Sequence, residues 1–195
     1  MNRVEATATW EQKLRIWRRQ RIIIWTVTAV AFLTAYFHRS VIGVVADSLM
    51  RDFAMEKAAE LGLLASIYFW TYALLQVPAG LLADRFGPRR VISLALLVSA
   101  AGTVLFGCAT SLTALYIGRF LTTVGVGVIF ISIIKIQADW FRLREFATMA
   151  GLVNLVANSG SLLSATPMAF VVDSWGWRTA FFLIAAYSLL MAAIC

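Results

Sequence analysis

Histidine and cysteine are scarce in this chain, and several motifs of catalytic proteins are missing. The 195 residues include one histidine, His38, and two cysteines, Cys108 and Cys195, without the spacing of a zinc site. The sequence has no nucleotide-binding P-loop, no HExxH motif and no spacing typical of a catalytic triad. These absences argue against an ATP-driven pump and an intramembrane enzyme. They predict a protein with no catalytic residues, no metal ion and no cofactor.

Charge is also scarce: 14% of the residues are charged, whereas 61% are hydrophobic and the mean hydropathy is +0.82. The apolar residues form long runs, and about 20 of them in succession can cross a bilayer as a helix. Helices are expected because hydrocarbon offers the backbone no other hydrogen-bond partners. We predict an all-α membrane protein in contact with the lipid bilayer, with a basic segment over residues 1–21 and a transmembrane domain over residues 22–195. The six predicted spans are residues 22–46, 61–83, 91–108, 113–137, 146–171 and 179 to the end.

The distribution of basic residues predicts the orientation of these spans. The net charge of +7 does not indicate nucleic-acid binding, because no nucleic-acid-binding motif accompanies it. Most basic residues lie in the N-terminal segment and in the second-to-third and fourth-to-fifth connections, which are on one side of the membrane. The other side has Arg51, Lys57 and Arg178. Because cytoplasmic loops carry the excess of lysine and arginine, we predict a cytoplasmic N-terminus in the plasma (inner) membrane.

The segment before the first span has the pattern of an amphipathic helix. Trp10, Leu14, Trp17 and Arg21 fall on one face, and the other basic residues occupy the rest of the surface. Two interpretations are open. The segment contacts lipid headgroups, or its basic residues serve only to set the orientation.

The connection between the second and third spans contains the most specific motif of the chain. Residues 80–90 read GLLADRFGPRR, which resembles the GxLaDRxGrR signature of the major facilitator superfamily in the position where that family carries it. The resemblance implies a conformational latch that closes the cytoplasmic side in the outward-facing state by contacting a helix of a second half. Its residues are Gly80, Asp84, Arg85, Gly87, Arg89 and Arg90.

The same connection can be interpreted from its chemistry. Asp84 ends a helix at the membrane boundary, so its carboxylate is expected to pair with an arginine of the turn or with the N-terminus of a neighbouring helix. Gly80 is expected to allow close helix approach, and Gly87 to form the turn. Lys135, near the cytoplasmic end of the fourth span, is expected to extend toward water or to pair with Asp139 on its own helix.

Further stretches agree with the resemblance. Those shared with the superfamily as a whole are Gly118-Arg119-Phe120-Leu121 with Gly125, Asp139-Trp140-Phe141 with Glu145, and Trp175-Gly176-Trp177-Arg178 with Phe181. Two others, residues 36–39 and 72–80, resemble the anion:cation symporter branch of that superfamily. The resemblance implies the N-terminal six-helix half of a transporter, built from two inverted repeats of three helices.

Two arginines lie inside the predicted spans, where a charge is costly and usually marks a pathway. Arg39 and Arg119 are predicted at similar depth in the first and fourth spans, which are counterparts in the two repeats. We expect both to converge on one cavity and to bind an organic anion, because guanidinium groups match carboxylates and phosphates. For Arg119 a structural alternative is open, namely hydrogen bonds to the backbone of a neighbouring helix. His38, next to Arg39, is a further candidate for substrate binding, and it is either part of a proton-coupled step or a hydrogen-bonded core residue.

Polar side chains at helical spacing mark two further faces. Tyr72 and Gln76 share a face of the second span with Tyr68, and Asn158 shares a face of the fifth span with Asn154. Both faces are either part of a substrate cavity or sites of close helix packing.

Together these features predict a secondary transporter that moves a small organic anion by alternating access, coupled to a proton or a sodium ion. Two alternatives are open: a transporter-like receptor or assembly protein that binds ligand without moving it, and a drug exporter. Six spans are half of the usual twelve, and the sequence ends within the sixth. We therefore expect a truncated chain that needs a C-terminal six-helix half or a second copy.

Overall fold

The six long apolar runs form six α-helices in the computed structural model, which describes residues 3–55 and 58–195. All six are long and apolar enough to cross a membrane, so the predicted all-α membrane fold is confirmed. The helices are α1 (Arg3–Asp52), α2 (Ala58–Phe86), α3 (Pro88–Gly107), α4 (Leu112–Trp140), α5 (Leu143–Trp175) and α6 (Trp177–Ile194).

The first helix is longer than predicted at both ends. It begins at Arg3 and continues to Asp52, so no break separates the basic segment 1–21 from the first span. Residues 3–42 contain neither proline nor glycine, the two residues that most often interrupt a helix. Arg51 lies in the last turn of α1 rather than in a loop, and Lys57 lies outside the described residues.

The two halves of the bundle repeat each other in an inverted sense. Helix α1 packs along α5, and its counterpart α4 packs along α2. The junctions before α3 and α6 also correspond: DRFGPR at residues 84–89 aligns with DSWGWR at residues 173–178. Gly87 has φ 81° and Gly176 has φ 83°, a conformation that side chains other than glycine rarely adopt. The same turn therefore begins the third helix of each repeat.

Glycines allow α3 and α4 to pack backbone against backbone. A Cβ atom placed on Gly102 would lie 2.4 Å from the amide nitrogen of Thr122, and one on Gly118 would lie 2.8 Å from that of Phe106. Gly80, which was expected to allow close approach, does not: a Cβ there would meet only Ile131 Cγ2, at 4.0 Å. The tight contact of the bundle is therefore at α3 and α4 and not at the start of the α2–α3 motif.

Helices α2 and α5 leave an apolar face uncovered. On α2 the exposed side chains include Phe69, Trp70, Leu74 and Val77, and α5 exposes Leu155, Leu162 and Phe170 in the same way. The most apolar stretches of these two helices are less buried within the bundle than those of the other four helices. The candidate site lies on the part of the bundle that includes this face.

Candidate substrate-binding site

A cavity of about 250 Å³ lies between α1, α2, α4 and α5. Six of its nine lining residues are aromatic, and the others include one cation and one amide. Apolar walls with a few placed polar groups are typical of sites for small molecules. The lining residues are Phe32, Ala35, Tyr36, Arg39, Tyr68, Phe69, Tyr72, Phe130 and Asn154.

Arg39 is the positive charge of this cavity. Its guanidinium carbon lies 5.6 Å from the centre of the Phe69 ring, a cation–π distance. No ion pair joins Arg39 to a carboxylate among residues 3–55 and 58–195. The guanidinium donors therefore remain available to an anion that enters the cavity.

A second cavity, of about 390 Å³, continues from Arg39 toward the end of α1 and the beginning of α2. It shares Arg39 and Phe69 with the first cavity, and Arg119 lies in its wall. The predicted convergence of the two arginines on one space therefore matches this second cavity. Of the two arginines, only Arg39 lines both cavities.

Arg119 is occupied by the backbone of two neighbouring helices. It is 2% exposed and donates hydrogen bonds to the carbonyl oxygens of His38 on α1, at 2.7 Å, and of Leu64 on α2, at 3.3 Å. Its guanidinium carbon also lies 4.7 Å from the centre of the Tyr68 ring, and Tyr68 donates to the carbonyl of Ala35 at 3.1 Å. These contacts favour the structural alternative for Arg119, which joins α1, α2 and α4 beside the cavity.

His38 faces away from the cavities. It is fully buried, and its Nε2 atom lies 3.2 Å from the hydroxyl of Thr103 on α3. On α1 it is one residue from Arg39, and neighbouring residues of a helix point in directions about 100° apart. The expectation that His38 contacts substrate therefore does not fit its position, and the alternative of a hydrogen-bonded core histidine does.

The other predicted polar residues are divided between the cavity and its surroundings. Tyr72 lines the cavity, whereas Gln76, one turn further along α2, donates to the carbonyl of Tyr72 at 3.1 Å. Asn158 is exposed and donates to the carbonyl of Asn154 at 2.8 Å. It is Asn154, not Asn158, that lines the cavity, where the hydroxyl of Tyr36 lies 3.4 Å from its Oδ1 atom.

Of the aromatic wall, only Tyr68 and Tyr72 were predicted from the sequence, whereas the aromatic residues of α1 and α4 were not. Phe32, Tyr36 and Arg39 recur at four- and three-residue spacing on α1, and Tyr68 stacks on Tyr72 with ring centres 6.1 Å apart. The spacing was a usable signal, because residues so spaced share one helix face. Phenylalanines at such spacing are also ordinary in a helix core, so the signal did not distinguish a cavity from packing.

The junction between α2 and α3 contains an ion pair that the sequence analysis missed. Asp84, at the end of α2, pairs with Lys135 on α4, whereas arginines of the turn or a helix N-terminus were the expected partners, and Asp139 that of Lys135. Arg85 packs over the ring of Phe86 at 5.4 Å. The two residues that complete the predicted latch, Arg89 and Arg90, are exposed.

The site shows no grouping for a metal. Within the described ranges 3–55 and 58–195, no three histidine, cysteine, aspartate or glutamate side chains lie close enough together to bind an ion. The chemistry of the cavity is that of a single guanidinium, an amide and aromatic rings.

Two relatives of the chain are named as transporters of organic anions. The chain is 29% identical to a probable sulfoacetate transporter of Cupriavidus necator, over 88% of this chain and 40% of that protein. It is 26% identical to a probable galactarate/D-glucarate transporter of Bacillus subtilis, over 87% of this chain and 39% of that protein. The chain thus spans about two fifths of the length of these relatives.

Solved structures and a family profile agree on the fold. A bacterial homologue of the human lysosomal transporter Spinster matches with a TM-score of 0.78 and 23% identity, over 89% of this chain and 43% of that one. The xylose transporter of E. coli matches with a TM-score of 0.75 and 16% identity, over 90% and 48%. The profile of the Major Facilitator Superfamily matches residues 28–195. The chain has six membrane-length helices in two inverted repeats, and its relatives are named transporters. Together with the profile match, this shows that the chain belongs to the Major Facilitator Superfamily, as its motifs predicted.

Proposed function

We propose that this chain forms the N-terminal half of a secondary transporter that moves a small organic anion by alternating access. The observation that carries the proposal is Arg39, a cation on the wall of an aromatic cavity without a carboxylate partner among the described residues. A guanidinium in such a site binds a carboxylate or sulfonate through parallel hydrogen bonds. The relatives in question are named as probable transporters of sulfoacetate and of galactarate and D-glucarate, which are anions with sulfonate or carboxylate groups.

A second six-helix unit would complete the site. The cavity of about 250 Å³ lies on the part of the bundle where α2 and α5 expose apolar residues, and transporters of this kind bind substrate at the interface between repeats. The unit is either a C-terminal half or a second copy of this chain. Charge balance favours co-transport of a cation, proton or sodium, since an anion alone would be driven outward by a membrane potential that is negative inside.

Uptake into sealed vesicles prepared from cells that express the complete protein tests this function. We expect uptake of sulfoacetate or D-glucarate but not of a neutral sugar of similar size, because only the anions neutralise Arg39. Imposed proton and sodium gradients identify the coupling ion by which of them accelerates uptake. Saturable binding without any uptake would favour a receptor, and efflux of apolar cations would favour a drug exporter.

We also propose that Asp84 and Lys135 hold the α2–α3 junction in the position that the latch requires. The pair fixes the end of α2 to α4, next to a turn whose arginines are exposed. Because the side chains are 70% and 29% exposed, the pair contributes up to about 1 kcal/mol, or a factor of about five.

Exchanging the charges of this pair tests the latch. Asp84→Asn and Lys135→Gln are each expected to lower the turnover rate by up to about fivefold, with little effect on substrate affinity. The double exchange D84K/K135D is expected to recover part of the rate, because the attraction between the two positions is restored. A loss of affinity in place of turnover, or no recovery in the double variant, would contradict the latch role.

The orientation with a cytoplasmic N-terminus, in the plasma membrane, is part of the proposal. Cys108 follows α3 and is exposed, whereas Cys195 follows α6, which runs in the opposite direction. A membrane-impermeant maleimide is expected to label a variant with Cys108 as its single cysteine in intact cells. A variant with Cys195 alone, the matched control, should be labelled only after the cells are opened. Labelling of Cys195 but not of Cys108 in intact cells would show that the N-terminus lies outside the cell.

A further inference from the structure

The N-terminal arm, residues 10–23 of α1, is docked on the bundle. The ring of Trp17 stacks on that of Trp140 with centroids 6.3 Å apart. Arg21 forms an ion pair of 2.8 Å with Glu145, and its guanidinium lies 4.6 Å from the Phe141 ring. One face of the arm is therefore fixed to the junction between α4 and α5.

The docking places the arm at the level of the lipid headgroups. Trp140 ends α4, and Glu145 lies in the first turn of α5, so both mark the membrane boundary of their helices. Tryptophan is enriched at that boundary because its ring is apolar and its N–H is polar. Trp17 and Arg21, which contact these residues, lie at the same depth.

The opposite face of the arm combines arginines with exposed isoleucines. At 100° per residue, Arg19 and Ile22 lie away from the docked ring of Trp17. Ile16 is 57% exposed, Ile22 55% and Ile23 50%. Arg18 and Arg19 are exposed and form no ion pair with other residues of the described ranges.

The junction that the arm contacts adds positive charge at the same depth. Arg142 and Arg144, in the junction on which the arm docks, are both exposed. Guanidinium groups next to aliphatic side chains, at headgroup depth, match a phospholipid with an anionic head and apolar tails. A soluble acidic protein would leave the isoleucines without a partner of matching polarity.

We propose that the arm binds anionic phospholipid, with Arg18 and Arg19 on the phosphate groups and the isoleucines against the acyl chains. Arginine donates parallel hydrogen bonds to a phosphate, and juxtamembrane basic residues are attracted to anionic lipid. The arm is thus a lipid-binding element, which goes beyond setting the orientation of the chain and is independent of the transported substrate.

The test measures which lipid stays with the purified protein. Protein is equilibrated with mixed micelles of phosphatidylglycerol and phosphatidylcholine, and bound lipid is quantified by mass spectrometry. We expect phosphatidylglycerol to be enriched on the unmodified protein. Each of R18Q and R19Q should weaken its binding by a factor of about five, and the double variant by about thirtyfold.

Two further variants keep the result interpretable. R51Q removes an exposed arginine near the other end of α1 and should leave the enrichment unchanged, while R18K/R19K should restore most of it because the charge returns. The proposal would be overturned if R18Q/R19Q retained as much phosphatidylglycerol as the unmodified protein, or if R51Q lost as much as R18Q/R19Q. Displacement of the bound lipid by heparin, a soluble polyanion, as effectively as by free phosphatidylglycerol would also overturn it. Thermal unfolding in phosphatidylcholine alone verifies that each variant is folded.

Discussion

Replacing Arg39 by alanine is expected to abolish uptake of the organic anion and to weaken its binding by at least about thirtyfold. Arg39 is exposed in this chain, and once a second six-helix unit covers the site, loss of one member of a desolvated charge pair costs about 2–5 kcal/mol, because the remaining charge is left without a partner. Arg39 is the residue that lines both cavities and carries a charge without a carboxylate partner in the described ranges. The anion has no other cation on the wall of the first cavity to replace it.

Two variants separate the charge of Arg39 from its shape. Arg39→Lys keeps the charge but loses the paired donors, so we expect weakened binding and residual uptake. Arg51→Gln removes an exposed arginine of the same helix outside both cavities and is expected to behave like the unmodified protein. Binding and uptake are measured with labelled anion on membranes with equal amounts of each variant. Full uptake by R39A would remove Arg39 from the site.

Replacing Arg119 is expected to have a different effect from replacing Arg39. Arg119 donates to carbonyl oxygens of α1 and α2 and is almost fully buried, so its removal would break both hydrogen bonds and leave a void between the helices. A variant at Arg119 is therefore expected to lose folded protein as well as activity. Loss of uptake in stable, well-folded protein is the result that distinguishes Arg39.

Replacing Gly125 by alanine is expected to destabilise the bundle by about 3 kcal/mol or more. A Cβ atom there would lie 2.4 Å from the carbonyl oxygen of Ala95 and 2.5 Å from the amide nitrogen of Ser99. These are backbone atoms of α3, which a rotamer change cannot move. Overpacking costs about 1–3 kcal/mol where side chains can adjust, and here the two helices would have to separate.

Gly151 is the matched control for Gly125. It also lies within a helix, but a Cβ there would have nothing within 4 Å. Gly151→Ala is therefore expected to be neutral or to stabilise the helix by about 0.5–1 kcal/mol, the usual gain in helix propensity. Thermal unfolding in the same detergent compares the two. Equal unfolding temperatures for G125A and the unmodified protein would show that α3 and α4 do not pack as closely as described.

Local chemistry made the membrane architecture predictable. A long apolar run forms a helix because hydrocarbon offers its backbone no other hydrogen-bond partners. Five of the six spans were therefore predicted within a few residues of the observed helices, whereas α1 extends well beyond residues 22–46. The turn before α3 was also predictable, because Gly87 followed by Pro88 cannot continue a helix. The family could be predicted from the same residues, because the residues of the turn motif are adjacent in the sequence and can be recognised without knowledge of the fold.

The candidate site was predicted only in part. Arg39 and Tyr72 line the cavity, whereas His38 faces α3 and Asn158 lies outside it. The spacing and polarity of residues identify which side chains share a helix face, but not which part of the protein that face contacts. Asp84 likewise has a partner 51 positions away in the sequence, Lys135, and nothing in the spacing of these residues links them.

The sequence by itself determined the number and type of the helices, the glycine turns at residues 87 and 176, and the family. These depend on solvent and on backbone conformation, which act residue by residue. The tertiary structure decided which arginine stays available to an anion, which one is tied to carbonyls, and which glycines bring α3 and α4 together. Those outcomes depend on the rotation of each helix about its axis and on its neighbours, which is set by packing across the whole bundle.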